Sequence, residues 1–127
     1  MKQLYTRWAK KVMDNPEQVL AEYPRPMMVR DSYVNLNGKW DYAITDSKDK
    51  IKEYDGKILV PFSPEAILSG VNRQLQPNEY LWYRRMLPEE VKREDGKRWI
   101  LHFGAVDQFA AVYLNGELVC KHLGGYL

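Results

Sequence analysis

The apolar positions of this chain fall into short runs separated by polar turns, and the clearest such pattern lies in its last thirty residues. In residues 98–127, RWILHFGAVDQFAAVYLNGELVCKHLGGYL, two apolar runs, 99–103 and 109–114, flank a short loop, 104–108. Asn115-Gly116 follows, then ELVCKH, then a pair of glycines. Asn-Gly between strand-like runs is a strong hairpin cue, because a type I′ turn needs positive φ at both central residues. The stretch predicts three neighbouring strands. Asn115, Gly116, Gly124 and Gly125 are its structural turn residues, and Asp107 stands in the loop between the first two strands.

Earlier in the chain the pattern is weaker at first. Leu4, Trp8 and Val12 recur at helical spacing and predict one helical face over 3–13, too short to hold without tertiary packing. Asp14-Asn15-Pro16-Glu17 combines a capping side chain, a first-turn proline and an acid, predicting one or two helical turns through about residue 20 or 21. Tyr23-Pro24-Arg25-Pro26 stops them, since residues before proline are pushed toward extended backbone. Residues 1–31 are thus expected to be a short helical or irregular arm with a proline-rich exit, and 32–127 the domain proper.

From there strand signals dominate. Asn35–Gly38 predicts a turn and 39–45 a strand, with Trp40, Tyr42 and Ile44 on one face and Asp41 and Ala43 on the other. Residues 46–57 are a charged loop. The run 58–62 contains Pro61, which removes a ladder donor, so it is an edge strand or one leaving its sheet. Residues 63–71 predict a single helical turn ended by Ser69-Gly70, and 72–79 a loop. A further strand is expected over 80–87, with Leu81, Tyr83 and Arg85 opposite Trp82, Arg84 and Met86, followed by a charged connector, 88–97. Short strands with turn chemistry between them, and almost no helix after residue 31, point to an all-β antiparallel sandwich or jelly roll.

Composition narrows the function. With 127 residues the chain has room for one real core, and a formal net charge of +2 with scattered basic residues argues against nucleic acid or an anionic membrane as partner. No run is long and apolar enough for a signal peptide or a membrane span, which makes a cytoplasmic location the default expectation. The aromatics, 13% of the chain, suit a β-rich core, and Trp40, Trp82 and Trp99 each fall in a strand-like run. That favours packing over stacking platforms for a flat ligand. The single cysteine, Cys120, excludes an intrachain disulfide, and with only His102 and His122 beside it no metal site or cofactor is expected. The paired Arg84-Arg85 invites a ligand clamp, but stacked or salt-bridged strand arginines are the favoured reading. Glu89-Glu90 cannot be a glycosidase acid and base, because adjacent residues point apart and that chemistry needs two carboxylates facing across a bond.

Six segments in order carry a resemblance: YPRPMMVR (23–30), LNGKWDYAI (36–44), VPFSPEAILSGV (60–71), LWYRRML (81–87), LHFGAVDQFAAVYLNGELV (101–119) and HLGGY (122–126). Together the chain resembles the N-terminal sugar-binding domain of glycoside hydrolase family 2, the β-galactosidase, β-glucuronidase and β-mannosidase family. The resemblance implies a galactose-binding-like jelly roll, followed in the complete enzyme by an immunoglobulin-like domain and a (β/α)8 barrel whose two glutamates perform retaining hydrolysis. The glutamates of this chain match no catalytic motif of that family, so no catalytic residue is assigned and the chain alone is expected to be inactive. In the family an Asp or Asn after the HFGAV-like strand reaches toward the barrel's site and helps hold the sugar. Asp107 stands at that position, against the plainer alternative of an aspartate capping its own loop. Cys120 departs from the small residue the family usually has there. Relatives also continue past GGYL into further strands, so the jelly roll is expected to be incomplete at its C-terminal end.

Three functions stay open at this level: an accessory sugar-binding domain of a family 2 glycosidase, a free-standing carbohydrate-binding module, and a purely structural domain docking on a catalytic barrel. A carbohydrate substrate reached through the complete enzyme and the downstream domains are the expected partners, and homo-oligomerisation is left open.

Overall fold

Antiparallel ladders account for most of the regular structure. A computed structural model of the chain describes residues 4–49, 51–91 and 94–125. Among these residues there are five strands and little helix: α1 (Ala9–Asp14), single 3-10 turns at Pro16–Gln18, Pro26–Met28 and Ile67–Ser69, and strands β1 (Gly38–Thr45), β2 (Gly56–Val60), β3 (Tyr80–Arg84), β4 (Phe109–Leu114) and β5 (Glu117–Leu123). The fold is all-β and antiparallel, as the strand spacing predicts. Two compact units are formed, 1–91 and 92–127.

In the first unit β1 is central, with sheet order β2-β1-β3. The β2 strand lies on the edge and ends at Val60, immediately before Pro61, whose missing N–H could not extend the ladder. Its register on β1 pairs Trp40 with Ile58 and Asp41 with Lys57. On the other side Asp41 faces Arg84, and Tyr42 faces Tyr83. The core is small. Ile58 is fully buried, and Ala9, Val19, Ala43 and Leu59 are also buried. Complete burial of Ile58 contributes about 1.5–3 kcal/mol. Trp40 and Tyr83 meet edge to face at 6.4 Å, while the Trp40 indole N–H donates to the Leu36 carbonyl at 2.7 Å. The Trp82 indole donates to Thr45 Oγ1 at 2.9 Å. These two tryptophans are packing groups.

The N-terminal arm departs from its expected shape. The helix begins only at Ala9, so Leu4 and Trp8 are exposed and Ala9 takes the buried position. Six residues make too short a helix to present a two-turn apolar stripe, and Trp8 instead carries the Arg7 guanidinium over its ring at 4.1 Å. Side-chain amides tie the arm to the start of β1. Asn35 Nδ2 donates to the Leu20 carbonyl at 2.8 Å, and Asn37 Nδ2 to that of Val19 at 3.1 Å. The predicted turn at Asn35–Gly38 is built by the Asn35 side chain, which accepts the Asn37 N–H at 2.7 Å. The turn in 63–71 closes on Gly70 at φ 84°, a left-handed cap.

The second unit holds the β4–β5 hairpin, paired from Phe109↔Leu123 to Leu114↔Glu117 with a register shift between Val112 and Tyr113. At its tip Asn115 and Gly116 have φ 52° and 86°, both in the region a type I′ turn uses. The expected strand over 99–103 is a correction. These residues carry no ladder, and Ile100 is 73% exposed. An apolar run becomes a strand only when it joins the ladder of a neighbouring strand, and the described ladders run through β1, β2, β3, β4 and β5. Likewise β3 stops at Arg84, short of residue 87. The Leu127 terminus and part of the 88–97 connector lie outside the described residues.

Candidate functional site

The loop that carries Asp107 is held to the far end of the hairpin, away from its turn. The Gly124 N–H donates to the Gln108 carbonyl at 2.8 Å, stitching the exit of β5 to the entry of β4. Asp107 is exposed, and its Oδ1 lies 3.5 Å from where a Cβ on Gly125 would stand. The peptide joining Asp107 to Gln108 is cis. On the adjacent glycine, a Cβ on Gly124 would meet His122 Nε2 at 3.3 Å. The structure therefore gathers Asp107, Gly124 and Gly125, with His122 beside them, at one end of the hairpin. Asn115 and Gly116 sit at the other end, about 20 Å away for a six-residue strand.

What this arrangement can do follows from its chemistry. An exposed carboxylate has two acceptor oxygens for hydroxyl donors, and the glycines beside it leave the backbone uncovered. None of the ion pairs found among the described residues involves Asp107. No group of three or more His, Cys, Asp or Glu among them is arranged to hold a metal ion. Cys120 is free and exposed on β5. Glu89 and Glu90 are both exposed.

Sequence reasoning did not find a second polar constellation, which lies on β1, β2 and β3. Asp41 accepts Lys57 Nζ at 2.5 Å on one oxygen, and Arg84 Nε and Nη2 at 3.1 and 2.9 Å on the other. The Lys57 ammonium first, and then the Arg84 guanidinium, hold the Asp41 carboxyl below the ordinary aspartate range. Arg84 also lies 4.1 Å over the Tyr54 ring, so the strand arginine is both salt-bridged and stacked. Its neighbour Arg85 donates from Nη1 to the carbonyls of Asn37 and Lys39, with Glu17 at 3.6 Å from Nη2. Alternation along β1 already placed Asp41 and Ala43 on one face. Which cations stand opposite Asp41 depends on register, and that was not readable.

The chain is similar to proteins named β-galactosidase and β-glucuronidase. Over 98 residues the chain is 33% identical to a β-galactosidase of Thermoanaerobacter pseudethanolicus, the match taking in 73% of this chain and 13% of that protein. It is 25% identical over 105 residues to a β-glucuronidase of Streptococcus agalactiae, covering 82% and 17% respectively. It is 28% identical over 120 residues to a β-glucuronidase of Felis catus, covering 83% and 18%. The chain is similar to a short region of glycosidases. It spans less than a fifth of the length of these relatives, each of which is therefore mostly made of other sequence. No protein-family model matches the chain. No helix among the described residues is long and apolar enough to cross a membrane.

Proposed function

We propose that this chain is the non-catalytic, sugar-binding jelly-roll domain of a retaining family 2 β-glycosidase, and that Asp107 is lent to the sugar site of that enzyme's barrel. The observation that carries the reading is the lopsided match. Most of this chain aligns with relatives named for glycosidic cleavage, yet it accounts for only 13–18% of their length. A segment that small has no room for a barrel, and a (β/α)8 barrel needs about 250 residues. The all-β fold and the exposed Asp107 carboxylate support the same reading. In it, hydrolysis belongs to downstream domains, and this domain supplies a hydrogen-bond acceptor for a sugar hydroxyl.

The test is made in the full-length protein that carries this segment. Asp107→Ala is expected to lower kcat/KM about tenfold or more, the effect of losing one charged hydrogen bond. Asp107→Asn, which keeps an acceptor, is expected to recover part of that loss. Wild-type kinetics in both variants would leave only a structural docking role. The chain by itself is expected to show no hydrolysis and little binding of galactosides or glucuronides. Micromolar affinity there would instead make it a free-standing carbohydrate-binding module.

A further inference from the structure

Within residues 1–91 the sheet carries a shallow cleft of about 390 Å³ lined by Glu17, Lys39, Asp41, Lys57, Arg84, Arg85 and Met86. Four of these side chains are cationic and two are carboxylates, an excess of two positive charges. The excess is unevenly covered. Asp41 is shared between Lys57 and Arg84, so among the described residues neither cation has a carboxylate of its own. Arg85 faces Glu17 only at the long distance of 3.6 Å, and among the described residues the Lys39 ammonium has no carboxylate partner.

The positions of these groups are set by backbone. Lys57 and Arg84 stand on either side of Asp41 in the ladders of β1 with β2 and β3. Arg85 is pinned by two carbonyls through Nη1, and among the described residues its Nε and Nη2 have no backbone acceptor. Arg84 is braced by the Tyr54 ring. Guanidinium donors held in place lose little entropy on meeting an anion, and they match the two-oxygen edge of a carboxylate or phosphate.

We propose that this cleft binds a small oxyanion, a sugar carboxylate or a free phosphate, between Lys39, Lys57 and the two arginines. The ligand oxygens take the place of the missing carboxylates: one between Lys39 and Arg85, another completing the half-shared pairs of Lys57 and Arg84. The site is independent of Asp107, which belongs to the other unit, and stands whether or not the sugar-site reading is correct. Both sources offer the same oxyanion edge and differ in what accompanies it.

The experiment is a backbone amide shift titration of the full chain with glucuronate, with inorganic phosphate and with glucose. Saturable shifts confined to Lys39, Asp41, Lys57, Arg84 and Arg85 are expected with one or both anions, at about millimolar affinity for so exposed a site, and none with glucose. Tighter binding of glucuronate assigns the cleft to a sugar acid, and tighter binding of phosphate to the free ion. Lys39→Ala, which breaks no ion pair, is expected to weaken binding about five-fold, the effect of one charge near 4 Å in water. Asp41→Asn is expected to act in the opposite direction and tighten it, because it removes the competing carboxylate. Raising sodium chloride should weaken both anions. No saturable shift with either anion, equal shifts with glucose, or an affinity unchanged by Lys39→Ala would each overturn the proposal.

Discussion

Asp41 is the carboxylate on which two cations of the first sheet converge. Its carboxylate is the common acceptor of Lys57 and Arg84, and the folded chain holds its pKa below the ordinary value. A depressed carboxyl contributes stability that is fully present above the unfolded pKa, about 3.9 for aspartate, and is lost as pH falls through the folded value. Glu79, held low by the Gln76 N–H and then by Arg73, acts with the same sign. Melting temperature is therefore expected to be flat near neutrality and to fall below about pH 4, and Asp41→Asn should flatten part of that fall in a pH series of thermal melts. At Gly38 the constraint is steric. Its φ is 115°, and a Cβ there would stand 2.5 Å from Glu17 Oε2. Gly38→Ala is expected to cost about 1–3 kcal/mol in urea unfolding, from a backbone state that L-residues avoid plus displacement of Glu17.

Among the elements, the turn between β2 and β3 depends on one buried hydroxyl. Ser69 Oγ donates to the Pro64 carbonyl at 3.2 Å and accepts the Val71 N–H at 3.0 Å, and Ser69 is only 1% exposed. Ser69→Ala strands both groups and should lower stability by about 1–3 kcal/mol, measurable by the same unfolding curves. The sequence suggested this turn through Ser-Gly but not the hydroxyl's double role, which depends on Pro64 folding back. The elements that sequence reading misplaced share one cause. Residues 99–103 have the composition of a strand but lie outside the described ladders, and Leu4 and Trp8 have helical spacing without a helix long enough to use it. Periodicity describes what a segment can bury. Whether it does so depends on a surface supplied from elsewhere.

At the scale of the whole molecule, the hairpin leaves much of its apolar surface exposed. Phe109, Tyr113, Leu118, Val119 and Leu123 are each about half exposed or more, and the two-stranded sheet has no third strand on either edge among the described residues. Unpaired edges beside exposed apolar side chains favour pairing with another chain. Sedimentation velocity is expected to show concentration-dependent association of the isolated chain, and a monomer at all concentrations would count against it. What sequence alone determined here is local: the strands with clear alternation, the edge character imposed by Pro61, the Asn115-Gly116 turn chemistry, and the position of Asp107 between two apolar runs. Each rests on the φ, hydrogen-bond or side-chain preferences of a few neighbouring residues. The tertiary structure decided which distant groups meet: Asp41 with Lys57 and Arg84, Arg85 with the backbone of Asn37 and Lys39, and Asp107 with Gly125. Register and loop closure join residues 16 to 48 positions apart in these contacts, and no local preference encodes a pairing over that distance.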